Sequence, residues 1–220
     1  MGAITRAAAN NFTTGGVILP AGINDTSVAS LTELENAATG GAMTLISEQT
    51  ASSSASISFT TGIDSTYPIY KFEFINILPQ NDQVEFSFNF STDGGSNYNV
   101  TKTSTYIEVY HLENDGDAGI GYSSSHDLAQ STAFQKLNSN QGNLSDESAS
   151  GYLQIFNPSS TTFVKHYLSN MSSVYYLEYL GQDLSAGYGN TTSAVDAIQF
   201  KFSSGNIDSG TIKLYGISGS

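Results

Sequence analysis

In the stretch QVEFSFNFSTDGGSNYN, residues 83–99, Val84, Phe86, Phe88 and Phe90 alternate with Gln83, Glu85, Ser87 and Asn89. This alternation constrains the chain more than any other feature. Side chains leave a strand on opposite faces with period two. Four apolar residues therefore face a core, and their neighbours are expected to face water. Asp93-Gly94-Gly95-Ser96-Asn97 then supplies residues that accept positive φ, which predicts a chain reversal. A strand buried on both faces of a parallel sheet would read as continuous apolar residues instead. The pattern predicts a half-buried antiparallel strand followed by its turn.

Similar runs recur from residue 43 onward: MTLISE (43–48), ASISFTT (55–61), IYKFEFINI (69–77) and STYIEVYHL (104–112). GYLQIFN (151–157) and TTFVKHYLS (161–169) read as a hairpin around Pro158-Ser159-Ser160. SVYYLEYL (173–180), SAVDAIQFKFS (193–203) and GTIKLYGIS (210–218) complete the set. LPQND (78–82) and SSGNIDSG (203–210) read as turns, and AFQKL (133–137) fits either a strand or a loop. Residues 113–127 form an acidic, glycine-rich loop, and 138–150 a polar one. Short strands joined by Gly, Asn, Asp and Ser predict an all-β, antiparallel, jelly-roll-like β-sandwich over residues 43–220. No long stretch carries a 3.6-residue period, so no β-α-β unit is expected, and no repeat of fixed spacing occurs.

Residues 1–42 differ: they are rich in Gly, Ala, Asn and Thr and have no sustained period. They read as an extended N-terminal anchoring arm ending at Gly40-Gly41. The competing reading is a free tail. Ile4, Phe12, Val17, Ile18, Leu19 and Ile23 favour an arm, because apolar groups gain most when buried against a neighbouring subunit.

With 7 basic and 20 acidic residues the formal charge is −13. A field of that sign repels phosphate, so nucleic acid is not expected as a partner. Without cysteine there is neither a disulfide framework nor a thiolate metal site. No run of about 18 apolar residues predicts a membrane-spanning helix. The first residues lack the basic start and apolar block of a signal peptide. Arg6 stands where a myristoylation motif needs Ser or Thr.

Chemistry-bearing patterns are sparse. His111, His126 and His166 show no metal-ligand spacing, and there is no nucleophile elbow, phosphate loop or dinucleotide fingerprint. The expectation is no catalytic residue and no cofactor. Glu73 and Glu85 are expected on one solvated face of neighbouring strands, an arrangement that leaves glycoside hydrolysis unsupported. Asp115 and Asp117 match the first two ligand positions of a calcium loop, but Gly119 stands at the third. They are weak Ca²⁺ candidates beside the plainer reading of a solvated loop. Sugar sites use exposed aromatics with polar neighbours. Tyr98, Tyr122 and Tyr188, in loop-like stretches, are the glycan-binding candidates, each equally readable as a cover for a sheet edge.

LISEQTASSSASISFTTGIDSTYPIYKFEFINILP (45–79), FSTDGGSNYN (90–99), FNPSSTTFVKHYLS (156–169) and NTTSAVDAIQFKFSSGNIDSGTIKLYGI (190–217) resemble structural proteins of tailed phages, especially those of marine cyanophages. The opening MGAITRAAANNFTTGGV is similar to the leader of such proteins. The resemblance covers nearly all of residues 43–218 and brings no catalytic signature. It implies a non-enzymatic virion component on the particle surface: a tail-fibre or appendage protein for host attachment, with a head decoration protein as the alternative. A carbohydrate-active enzyme on the same fold is a third reading, from a different class. The implied partners are other virion proteins reached through the arm, copies of the same chain in a homo-oligomer (a trimer by analogy with fibres), and host surface glycan.

Overall fold

The computed structural model describes residues 43–218, and among these there is no helix. The twelve strands are β1 (Met43–Thr50), β2 (Ile57–Phe59), β3 (Ile69–Pro79), β4 (Phe86–Ser91), β5 (Lys102–Leu112) and β6 (Ala118–Tyr122), followed by β7 (Gln135–Lys136), β8 (Ala149–Phe156), β9 (Lys165–Tyr175), β10 (Tyr179–Gly189), β11 (Ala197–Phe202) and β12 (Ile207–Ile217). They form a large sheet ordered β1-β12-β3-β8-β9-β10-β5-β6 and a small one ordered β2-β11-β4-β7. All pairings are antiparallel. The two sheets pack as the antiparallel sandwich that the alternation predicts. The arm, with Ile4, Phe12, Val17, Ile18, Leu19 and Ile23, lies outside the described residues.

Alternation builds the core directly. Tyr70, Phe72 and Phe74 of β3 turn inward beside Ile212 and Leu214 of β12. From the small sheet come Phe86, Phe88 and Phe90 of β4 and Ile198, Phe200 and Phe202 of β11. Phe200 is the hub: its ring centroid lies 5.2 Å from those of Phe72 and Phe74, 5.8 Å from Phe86 and 6.2 Å from Phe59. Each such buried ring contributes about 1.5–3 kcal/mol by burial, and edge-to-face pairs add about 0.5–1.5 kcal/mol each.

The structure corrects four sequence-based expectations. First, LPQND is no hairpin turn. It carries the chain from β3 in the large sheet to β4 in the small one, so Glu73 and Glu85 share no face. Second, the polar side of β4 is covered. Ser87 and Asn89 are buried: the Asn89 amide donates to the Thr132 carbonyl (2.9 Å), and its oxygen accepts from Lys102 Nζ. Third, 173–180 is not one strand but the tip of the β9–β10 hairpin, with Glu178 at φ +62° in the turn. Fourth, β6 and β7 lie inside stretches that read as loop or ambiguous.

The overlooked strand β10 has a physical signature. It is rich in small residues, SAGYG and LGQD, which lowers its strand propensity. The glycines give room to rings. A Cβ on Gly181 would lie 2.1 Å from Cε1 of Tyr175, and one on Gly187 would lie 2.5 Å from the Tyr167 hydroxyl. The strand is held by its neighbours β9 and β5 rather than by its own preference.

The inner face of β5, β9 and β10 is covered by segment 123–141, which includes β7. His126 stacks on Tyr106 (centroids 5.0 Å apart), and Tyr167 donates to Gln135 Oε1 (3.0 Å). This end of the interior is polar. Asp183 is fully buried and takes the Tyr175 hydroxyl on both oxygens, at 3.0 and 3.1 Å. Burial pushes its carboxyl up to about 7 despite that bond. The Tyr106 hydroxyl, also buried, makes no hydrogen bond of good geometry.

Candidate functional site

The outer face of the large sheet carries a groove at one end of β5, β9 and β10. Pairing sets its geometry. Tyr188 lies opposite both Thr103 and His166, and Ala186 lies opposite both Thr105 and Leu168. Because side chains alternate, all six point away from the core. Thr105 and Ala186 are short, so the surface dips between larger neighbours. Phe156 at the end of β8, His166 and Tyr188 raise the walls of an open trough of about 440 Å³. The His166 and Tyr188 rings stand 6.0 Å apart at 60°.

One edge of the groove is polar and fixed. Gln130, held at φ +48°, donates from its side-chain amide to Thr103 Oγ1 at 2.7 Å. The same nitrogen lies 3.5 Å from the Tyr188 hydroxyl, and the Gln130 oxygen accepts from Asn190 Nδ2 at 2.8 Å. No carboxylate, lysine or arginine is among the lining residues. The groove runs on into a second trough of about 240 Å³ at Ile107, Tyr152 and Leu184, sharing Leu168 and Ala186 with the first. Beyond it the same face exposes Ile120, Tyr122 and Leu180. Flat rings, short hydroxyl side chains and side-chain amides without formal charge suit an uncharged ligand that offers C–H faces and hydroxyls together.

Of the three tyrosines singled out by sequence, only Tyr188 belongs to this groove, and it sits in a strand rather than a loop. Tyr122 ends β6 on the same outer face, opposite Ile107, with its hydroxyl donating to Asp127. Tyr98 lies apart in the β4–β5 turn, its hydroxyl close to Gly95. The structure does not assemble the three into one site. Gln130, Phe156 and His166 were missed as partners of Tyr188. The alternation of His166 with Leu168, and of Ala186 with Tyr188, hinted at one face. Only the β9–β10 register brings them side by side.

The other candidates are dispersed. Asp115, at φ +62° in the β5–β6 turn, accepts from His111 Nε2 at 3.1 Å, whereas Asp117 accepts from the Tyr179 hydroxyl at 3.3 Å. Among the described residues no three His, Asp or Glu side chains gather as a metal group. Glu73 pairs with Lys71 (2.8 Å) on the large sheet, and Glu85 pairs with Lys136 (3.2 Å) beside the small one. His126 is buried, and that burial holds its imidazole below the ordinary pKa.

No family model, curated protein or solved structure matches the chain.

Proposed function

We propose that this chain is a non-enzymatic structural protein of a tailed-phage particle, displayed on the surface as a tail-fibre or appendage component and touching host surface glycan through the outer groove. The observation that carries the attachment role is the aromatic groove of Phe156, His166 and Tyr188, lined by no carboxylate, lysine or arginine, with its Gln130–Thr103–Asn190 edge. A sugar ring lays its C–H face on such rings and directs its hydroxyls at amides and threonines. The particle location rests on the sequence resemblance. The exposed Ile120, Tyr122 and Leu180 outside the groove support a contact between copies in a homo-oligomer, a trimer by analogy with fibres, and residues 1–42 anchor the assembly. Head decoration is the second reading, since a capsid surface asks for the same compact sandwich.

Two measurements test this. Antibody against residues 43–218 should label the tail of purified particles; labelling spread over the head moves the protein to decoration, and no labelling removes it from the virion. Soluble protein should bind host surface polysaccharide without shortening it. Tyr188→Ala should weaken that binding by about tenfold, the loss of one stacked ring worth about 1.4 kcal/mol. Unchanged binding would take the groove out of the mechanism, and chain shortening would make the protein a carbohydrate-active enzyme.

A further inference from the structure

A second cavity, of about 290 Å³, opens on the opposite face of the large sheet, at the β9–β10 turn. Tyr110, Tyr175, Tyr176 and Tyr179 line it together with Glu108 and Asp117. The rings are set in place by glycines on the neighbouring strands. Tyr175 lies across Gly181, and Tyr110 lies across Gly119, where an added Cβ would stand 2.7 Å from its hydroxyl. Tyr110 and Tyr179 meet edge to face, 5.9 Å apart at 75°. The glycines that make 113–127 read as a loop, and those that lower the strand preference of β10, therefore shape this aromatic wall.

The charge in the cavity is one-sided. Glu108 stands in register with the buried Asp183, and no lysine or arginine lines the space. His126 Nδ1 is 3.9 Å from Glu108 Oε1, but that nitrogen already faces Ser123 and Ser125 hydroxyls at 2.8 and 2.9 Å. Asp117 is engaged by Tyr179, and Asp183 by Tyr175. Glu108 remains as a carboxylate beside tyrosine faces. A cation over aromatic faces with a carboxylate nearby is strongly favoured once water is displaced. A primary ammonium is strongly hydrated and brings three donors that aromatic faces do not satisfy. A quaternary ammonium brings none.

We propose that this cavity binds a quaternary ammonium group, the trimethylammonium head of a choline-type ligand, against Tyr110, Tyr175 and Tyr179 with Glu108 as counter-ion. The site is separate from the outer groove and does not depend on the particle assignment.

The test is titration of the full chain with choline, with its neutral carbon isostere (carbon in place of the ammonium nitrogen), and with ethanolamine, read by tyrosine NMR resonances and calorimetry. Choline should bind about tenfold more tightly than either comparison ligand. Glu108→Gln should weaken choline by about tenfold while leaving the isostere unchanged, and Tyr179→Ala should weaken choline severalfold. Far-UV circular dichroism checks that each variant is folded. If a variant does not fold, the three-ligand comparison on the unaltered protein decides alone. Equal binding of choline and the isostere, tighter binding of ethanolamine, or no binding of choline overturns the proposal.

Discussion

Asp183→Asn should change how the stability of this sandwich depends on pH. Asp183 is fully buried, and desolvation raises its carboxyl to about 7. In the unfolded chain it titrates near about 3.9. A group raised in this way holds more protons folded than unfolded between those two values. Its contribution is fully present below about pH 4 and is lost as pH rises through about 7. The gap between the folded value of about 7 and the unfolded one corresponds to about 4 kcal/mol. Two groups act in the opposite sense. Burial lowers His126, so its contribution rises with pH up to its unfolded value. Burial also lowers Lys102 to about 7, so its contribution rises above neutrality. Comparing the variant with the unaltered protein cancels both. Asparagine keeps an oxygen for the Tyr175 hydroxyl and cannot ionise. Whatever its fixed cost, the stability of Asp183→Asn relative to the unaltered protein should improve by about 4 kcal/mol between about pH 4 and about pH 8. Urea denaturation followed by far-UV circular dichroism at both ends of that range measures it. A difference that is constant with pH would show that Asp183 is ionised and solvated in the fold, and would refute the reasoning.

Phe200→Ala, at the hub of the aromatic core, should cost about 3–5 kcal/mol in the same denaturation assay, because five facing rings cannot close the gap; a loss under about 1 kcal/mol would mean the core collapses around it. Gly181→Ala should destabilise by about 1–3 kcal/mol, since its new Cβ meets the Tyr175 ring, and the double variant with Tyr175→Leu should recover part of that loss if the clash is the cause.

The alternating runs fixed their own strands. Tyr70-x-Phe72-x-Phe74 and Phe86-x-Phe88-x-Phe90 can bury one face only as strands, because the period-two pattern has no helical solution, and that is a local property of the chain. The sequence also carried the antiparallel sandwich, through strand spacing and turn residues. Which strands pair is not local. LPQND has the composition of a hairpin turn yet crosses between sheets, and Tyr176-Leu177-Glu178 has the composition of a strand yet closes a hairpin, because the choice depends on where the next strand finds free edges and an apolar face. Strand β10 was hidden for the same reason: Gly181, Gly187 and Gly189 lower its own preference, and the rings of Tyr175 and Tyr167 that need the gaps at Gly181 and Gly187 lie on another strand. Covered polar groups follow suit. Asn89 reads as solvent-facing and Asp183 carries no sequence signal of burial; only the segment 123–141 and the Tyr175 hydroxyl, folding over them, remove them from water. The sequence by itself thus determined the sandwich and its aromatic centre. Tertiary pairing alone decided the groove around Tyr188 and the cavity around Glu108, because each is assembled across strands whose neighbourhood depends on long-range register.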